Sequence, residues 1–265
     1  MIFQENKGPI VAAAIHAAHA MRPEVVEYHG LSEKQRLREE DPYTDQWTRE
    51  VGDFRIIGEK SRFEYDINRP RHKAVYLTPD DAWDLSIWET EPPRELIDRS
   101  LKEYDEFYEE VRKNLDNIRD EFGRFVVLDI HSYNHIRPGP DSPPADAEKN
   151  PEVIVGTSNM DQSKWTPLIE KFISDLRSST IAGRHPDVRK NVKWTGGHFS
   201  EWIHNTYPDH ACCFAIEFKK LFMNEWTGEI DPEHHDDIHK ALKNTVPGLR
   251  EKLSELNAKD QNGNS

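Results

Sequence analysis

The chain has 265 residues, and its 49 Asp+Glu against 35 Lys+Arg leave a net charge of −14. That excess repels nucleic-acid backbones and anionic membrane surfaces, which excludes both as expected partners. Charged residues make up 32% of the chain, but seven Trp, eight Tyr and eleven Phe can furnish a core, so the composition is that of a folded domain and not of a disordered segment. No apolar run approaches the ~20 residues that span a bilayer. The start, MIFQENKGPIVAAAIHAAHAMR, does not read as a signal peptide, because His16 and His19 break its Ala-rich run. The only cysteines, Cys212 and Cys213, are adjacent; in a strand they point to opposite faces and do not pair, which suits a reducing cytoplasm. Residues 1–257 read as one domain and 258–265 as a polar, frayed tail. Nothing in the sequence specifies an oligomeric state.

In chain order, Ile10 to Ile15 is a short apolar run that predicts a buried strand with His16 at its carboxyl end. Residues 31–41, LSEKQRLREED, read as a solvated charged stretch. Asp41-Pro42 has the form of a helix start, predicting a short helix to about Val51. Arg62 to Ile67 alternates and predicts a strand ending at Asn68-Arg69-Pro70. From Pro93 to Phe122, apolar residues recur at steps of three and four, a long amphipathic helix stopped by Gly123. Phe125 to Ile130, FVVLDI, reads as a central strand delivering His131 at its end. Residues 135–151 read as a Pro- and Asp-rich loop, Val153 to Val155 as a strand, 163–178 as a helix, and Ala211 to Phe218 as a buried strand carrying one carboxylate, Glu217. Buried strands alternating with amphipathic helices predict a three-layer α/β/α fold with a mixed, mostly parallel central sheet. In such folds sites gather at the carboxyl ends of strands, where His16, Asn68-Arg69, His131 and Glu217 are all expected.

A lone histidine at a strand end is ordinarily a structural hydrogen-bonding residue. Two of them with a carboxylate within reach form a catalytic zinc set that leaves a coordination position open. The chain has no HExxH, CxxC, GxSxG or GxGxxG, which excludes the metal, redox, esterase and dinucleotide classes built on those motifs. Asp129, two residues before His131, shares its strand face and can orient a ligating imidazole. His19 has a chelating spacing from His16 but fits a supporting or substrate contact equally well. Glu217 is costly to bury unpaired. It either pairs with Lys219 or faces the site as a general base. Arg62, Asn68 and Arg69 suit a carboxylate-bearing substrate, with Arg137 a second candidate. Gly196-Gly197-His198 reads as a tight turn that can border the site, and His234-His235 as a solvated helix start.

The run IHAAH, REEDPYTD, SRFEYDINRPR, VLDIHSYN, GTS, GGHFS and AIEFKKLFMNEWTGE, spanning about residues 10–230, resembles the N-formylglutamate amidohydrolases. The SR-x-x-x-D-x-NRP and D-x-HS elements carry the likeness most specifically. The resemblance implies the zinc-carboxypeptidase and aspartoacylase-like fold, with an eight-stranded mixed sheet and one zinc ion per chain. It implies His16 and His131 as zinc ligands, with Asp41 or Asp45 between them. Asn68 and Arg69 match the clamp for the substrate carboxylate, Arg62 the stabiliser of the oxyanion, and Glu217 the glutamate that activates water. The sequence departs from the family pattern at His16-Ala17-Ala18, at Gly196-Gly197-His198 and in the loop from Pro138 to Pro151. The implied reaction is zinc-dependent hydrolysis of an N-acyl amino acid such as N-formylglutamate, a small acidic substrate. The alternatives are a carboxypeptidase or peptidoglycan-type amidase acting on a longer chain, and a non-catalytic protein of the same fold that binds metal or small acids. Because the chain is acidic, an anionic substrate requires a locally positive site.

Overall fold

The computed structural model describes residues 1–263. Seven strands form one mixed sheet: β1 (Ile2–Gln4), β2 (Ile10–Ala14), β3 (Phe54–Ile57), β4 (Phe125–Tyr133), β5 (Val153–Gly156), β6 (Val188–Lys190) and β7 (Ala211–Lys219). Their order is β1-β3-β2-β4-β7-β5-β6. Four of the six neighbouring pairs are parallel; β1 with β3 and β5 with β7 are antiparallel. The mostly parallel sheet is therefore as predicted, with seven strands among the described residues where the resemblance implies eight.

Burial of the sheet on both faces follows from the period-2 alternation of side chains. Ile10, Val126, Leu128, Cys212 and Phe214 pack into one core with α5 (Gln162–Ser178) and α7 (Pro232–Gly263). Val11, Val127, Ala211 and Cys213 pack into the other, against α4 (Arg94–Phe122) and α6 (His198–Thr206). The adjacent cysteines thus enter opposite cores and both are free. Helix α4 spans nearly the predicted range, with Tyr104, Tyr108, Val111, Leu115 and Ile118 buried along its stripe. Gly123 ends it at φ +75°, a conformation that glycine adopts without a Cβ penalty. No helix of the described residues is long and apolar enough to cross a membrane.

Five expectations differ from the structure. Residues 62–67 form turns and not a strand; their backbone bonds are local, as in Glu64 N–H to Ser61 O and Arg69 N–H to Asp66 O. The alternation of Phe63, Tyr65 and Ile67 with polar residues imitates a strand, but Glu64 and Asp66 are buried as well, ion-paired to Arg22 and Arg62. Asn68-Arg69 consequently lies beyond a turn and not at a strand end. The helix expected from Asp41 shortens to α3 (Thr44–Trp47), entered through Tyr43 at φ +71°. Residues 31–41 are not a solvated run: α2 (Glu33–Glu39) carries a Ser32–Gln35 capping box, and Arg36, Glu39, Glu40 and Asp41 are all buried. The last helix, α7, continues to Gly263 across most of the span expected as a tail; residues 264 and 265 lie outside the described residues. Within α7, His235 is buried and its carbonyl accepts from Trp47 Nε1–H, so the His234-His235 pair is only partly a solvated helix start.

Helix α6 is tied to the sheet by His204, whose Nε2 accepts the Cys213 backbone N–H at 2.9 Å while its Nδ1–H donates to Asn159 Oδ1 at 3.0 Å. Burial pushes its pKa down to about 4. A histidine lowered in the folded state contributes stability in full above its unfolded value of ~6.5 and loses it as the pH falls toward the folded value. Nitrogen-15 NMR of the histidine rings should find His204 neutral and protonated on Nδ1 at pH 6, titrating only near pH 4.

Candidate active site

The two longest strands, β4 and β7, run parallel in a register that sets His131 beside Glu217. Asp129, His131 and Glu217 alternate with core residues and so project to one face of the sheet, toward α6. Strand β2 lies on the other side of β4 and ends two residues before His16. Parallel pairing therefore brings His16, His131 and Glu217 to one rim. Asp41 is added by the turn that precedes α3. Its carbonyl, and not its carboxylate, bonds to Thr44 at the helix start, which leaves the carboxylate to reach His131 Nδ1 at 3.0 Å and His16 Nδ1 at 3.5 Å.

His16, Asp41 and His131 offer donor atoms that all lie within 4.8 Å of one another, and all three residues are buried. Asp45 lies in the first turn of α3 and is not part of this cluster. His19 is also outside it, with Nδ1 2.5 Å from Glu40 Oε2. Each clustered imidazole is held from its far side by a carboxylate. Asp66 Oδ1 accepts from His16 Nε2 at 2.6 Å, and Asp129 Oδ1 lies 3.0 Å from His131 Nε2. Both Nδ1 atoms consequently face Asp41, and His16 Nδ1 is buried without a hydrogen-bond partner. An orphaned, oriented imidazole nitrogen opposite a carboxylate is a donor set that a divalent metal satisfies. Burial opposes charge on His131, but Asp129 and Asp41 outweigh it and raise its pKa well above the ordinary value. Burial likewise opposes the Asp41 carboxylate, and the two histidines pull its pKa below the usual range. For Glu217 burial wins: with Asp41 and Asp129 adding to it against His131 and Arg62, the carboxyl is pushed up to about 8.

Asp66 is the second fixed point. Besides His16 it accepts from Arg62 Nη2 at 2.9 Å, from the Asn68 backbone N–H at 2.7 Å and from the Tyr76 hydroxyl. Arg62 is held further by Tyr76 and by the Glu39 carbonyl, with Trp83 over its guanidinium at 4.8 Å. Asn68 turns its Oδ1 to the backbone N–H of Phe199 in the first turn of α6, at 2.9 Å. Gly197 permits this approach, because a β-carbon there would run into the Asn68 amide. Gly196, at φ +132°, makes the preceding turn. Arg69 reaches the same cleft, 44% exposed. Arg137 also lines it, both of its Nη groups bonded to the Glu39 carboxylate at 3.2 and 2.6 Å. The cleft has a volume of about 860 Å³ and is lined by His16, Asp41, Arg62, Asn68, Arg69, His131, Arg137 and Glu217, but not by Asp45, His19 or Asp129.

Sequence reasoning passed over Asp66 and Lys220. Asp66 stands inside SR-x-x-x-D-x-NRP, so a buried acid three residues before an arginine was its only signal. Lys220, 2% exposed, donates to the carbonyls of Arg38 and Glu40 at 2.6 and 2.7 Å. It caps the carboxyl end of α2 and so fixes the chain just before Asp41. Burial lowers its pKa to about 8. Glu217 does not pair with Lys219, whose side chain lies on the same strand face but beyond the cleft lining.

Imidazoles, carboxylates and guanidiniums thus face one another in one cleft at the ends of parallel strands. Residues 8–223 match the family model of N-formylglutamate amidohydrolase, and the chain belongs to that family. The structure is similar to the crystal structure of N-formylglutamate amidohydrolase from Ralstonia eutropha JMP134, with a TM-score of 0.72 and 15% identity over 96% of this chain and 98% of that one. It is also similar to a gene product of Agrobacterium tumefaciens, with a TM-score of 0.64 and 17% identity over 94% of each chain. At such identities the likeness is one of fold. No curated protein matches the chain.

Replacing Asp66 by Asn keeps the shape but removes the acceptor charge that orients His16 and Arg62. Divalent-cation affinity, measured by competition with a chelating dye, should fall ~10–100-fold. An unchanged affinity in a variant with native circular dichroism would refute the orienting role.

Proposed function

We propose that this protein is a zinc-dependent amidohydrolase that cleaves the amide bond of an N-acyl amino acid, the substrate class to which N-formylglutamate belongs. The observation that carries this reading is the His16–Asp41–His131 cluster set beside Glu217 by the β4–β7 register. Two imidazoles and one carboxylate are the protein ligands of a catalytic zinc site with an open position. A zinc ion held there supplies Lewis acidity, lowering the pKa of a water and polarising a carbonyl.

The remaining work falls to the chain's own groups. Asn68 and Arg69 hold the substrate carboxylate, the arginine through its fork. Arg62, locked by Asp66 and Tyr76, presents fixed positive charge to the oxygen of the scissile carbonyl as it becomes anionic. Glu217 takes a proton from the attacking water and passes it to the leaving nitrogen. The C–N bond breaks, a C–O bond forms, and the products are a carboxylate and a free amino acid. Burial and the neighbouring carboxylates raise the Glu217 pKa, which strengthens it as a base. The free, buried thiols accord with a cytoplasmic location.

Protein purified without a tag or chelator should contain about one zinc per chain by mass spectrometry, and His131→Ala should lose it. Glu217→Gln should keep the metal and lose ~10²–10⁴-fold in turnover of N-formyl amino acids. Full activity in Glu217→Gln would eliminate its role as base, and protein that takes up no metal even from added zinc would overturn the metallohydrolase reading.

A further inference from the structure

Resting on the amidohydrolase reading, the loop that follows β4 bears on which N-acyl amino acid the cleft accepts. Residues 134–137 are pinned from several sides. The backbone N–H groups of His135 and Ile136 both donate to Glu225 Oε2, at 2.6 and 3.0 Å. The Ile136 carbonyl accepts from Trp226 Nε1–H at 3.0 Å, and the Arg137 carbonyl from Arg38 Nη2 at 3.2 Å. Two side chains of this loop, Asn134 and Arg137, line the cleft from that fixed backbone.

Asn134 is 4% exposed, and among the described residues its amide makes no hydrogen bond; Oδ1 is buried without a partner. A buried amide left in that state is costly, and a ligand in the cleft can complete it. Arg137 is 42% exposed. Its guanidinium has five N–H groups, and the buried Glu39 carboxylate takes one from each Nη. The N–H of Nε and the second N–H of each Nη remain. Trp83 lies over the guanidinium at 5.6 Å. Glu39 and Trp83 thus hold the group in place without exhausting its donors, which preorganises it for a second carboxylate. Glu39 does not cancel the local charge. Arg38 stands 3.4 Å from Glu39 and 3.2 Å from Glu225, and Lys220 interacts with both of those carboxylates. Three cations, Arg38, Arg137 and Lys220, therefore surround two buried anions.

This receptor is separate from Arg69. Arg62 donates through Nη2 to Asp66, the acid nearest Arg69, and through Nη1 to the Glu39 carbonyl, on the residue that holds Arg137. The two carboxylate receptors are therefore linked through Arg62, which the mechanism places at the scissile carbonyl.

We propose that Asn134 and Arg137 form a second anion subsite, and that the substrate is an N-acyl amino acid bearing a carboxylate there in addition to the one held by Arg69. The second carboxylate belongs either to the amino-acid side chain, as in N-formylglutamate, or to the acyl group, as in an N-succinyl amino acid. In both cases it accepts from the free Arg137 N–H groups and from the Asn134 amide.

The test compares each dicarboxylate with its neutral amide of the same shape: N-formylglutamate with N-formylglutamine, and N-succinylalanine with its succinamide counterpart. Binding is measured by calorimetry on zinc-loaded Glu217→Gln, and kcat/KM on the zinc-loaded wild type. At least one dicarboxylate should exceed its neutral partner by about tenfold or more, the scale of a hydrogen bond to a charged group. The pair that shows this preference identifies the source of the second carboxylate. Arg137→Met should bring the ratio to within about twofold, and Arg137→Lys should retain part of it. Asn134→Leu should lower the affinity for the dicarboxylate about tenfold, and Asn134→Asp should lower it further by repulsion. The Asn134 variants and Arg137→Lys leave Glu39 paired, so they carry the test if Arg137→Met does not fold. No preference for either dicarboxylate in the wild type, or an Arg137 variant that weakens both members of a pair equally, would overturn the subsite. A zinc-loaded protein that hydrolyses none of the four compounds and no other N-formyl or N-acetyl amino acid would instead overturn the amidohydrolase reading, while the binding ratios would still decide the subsite.

Discussion

The site is organised around one buried negative charge, the Asp66 carboxylate. A carboxylate with no exposure to water costs several kcal/mol unless its lone pairs are filled and a cation lies close. Asp66 meets both conditions, with His16, Tyr76, Arg62 and the Asn68 backbone all donating to it. Burial raises its pKa, but Arg62 and His16 outweigh that and keep it well below the ordinary range. The same bonds that make the charge tolerable orient the His16 imidazole, an arginine and the loop that presents Asn68 and Arg69. Moving any one of these groups would leave Asp66 underpaired, so the electrostatic requirement doubles as a geometric one.

A second layer of paired charge surrounds the first. Glu40 joins His19, Ser61 and Arg36. Lys220 closes the carbonyls at the end of α2, and Glu225 holds Arg38 together with the backbone of His135 and Ile136. These contacts join α2, the loop after β4 and the loop after β7, three segments with no shared sheet register. An acidic chain can thus carry a cluster of guanidiniums and imidazoles in one cleft, because Glu39, Glu40 and Asp66 near the rim each sit against a cation. Arg137 on Glu39 is one such pair, and it shapes the cleft.

The framework was legible wherever burial imposed a period. The strands around FVVLDI and ACCFAIEF, the stripe of α4 and the stop at Gly123 all follow from hydrophobic alternation or helical spacing, and with them came His131 and Glu217. His16 was legible because a polar residue closes the Ala-rich run of β2. The segment 62–67 misled because its two carboxylates are buried against arginines, Glu64 against the distant Arg22 and Asp66 against Arg62 at the segment's own start, so its polar positions face protein and not water. Residues 31–41 misled for the same reason: a run of charges looks solvated until its partners, Lys220 and Arg137 among them, are brought over it. The short strands β1, β3 and β6 carry too few residues for a period to register.

By itself the sequence determined the layered α/β class, the long strands and helices, and which residue types were available for chemistry, because these depend on local propensity and on apolar periodicity. Only the tertiary structure decided between Asp41 and Asp45 in the cluster with the two histidines, since that choice turns on a turn at Tyr43 and on Lys220 fixing the chain before it. It also decided that Asp66 is the hub, that His19 belongs to Glu40, and that Arg62 is held by Asp66 and Arg137 by Glu39. Each of these is a question of which charge meets which across tens of residues. Coulombic pairing depends on distance in space, and the order of residues along the chain does not encode that distance.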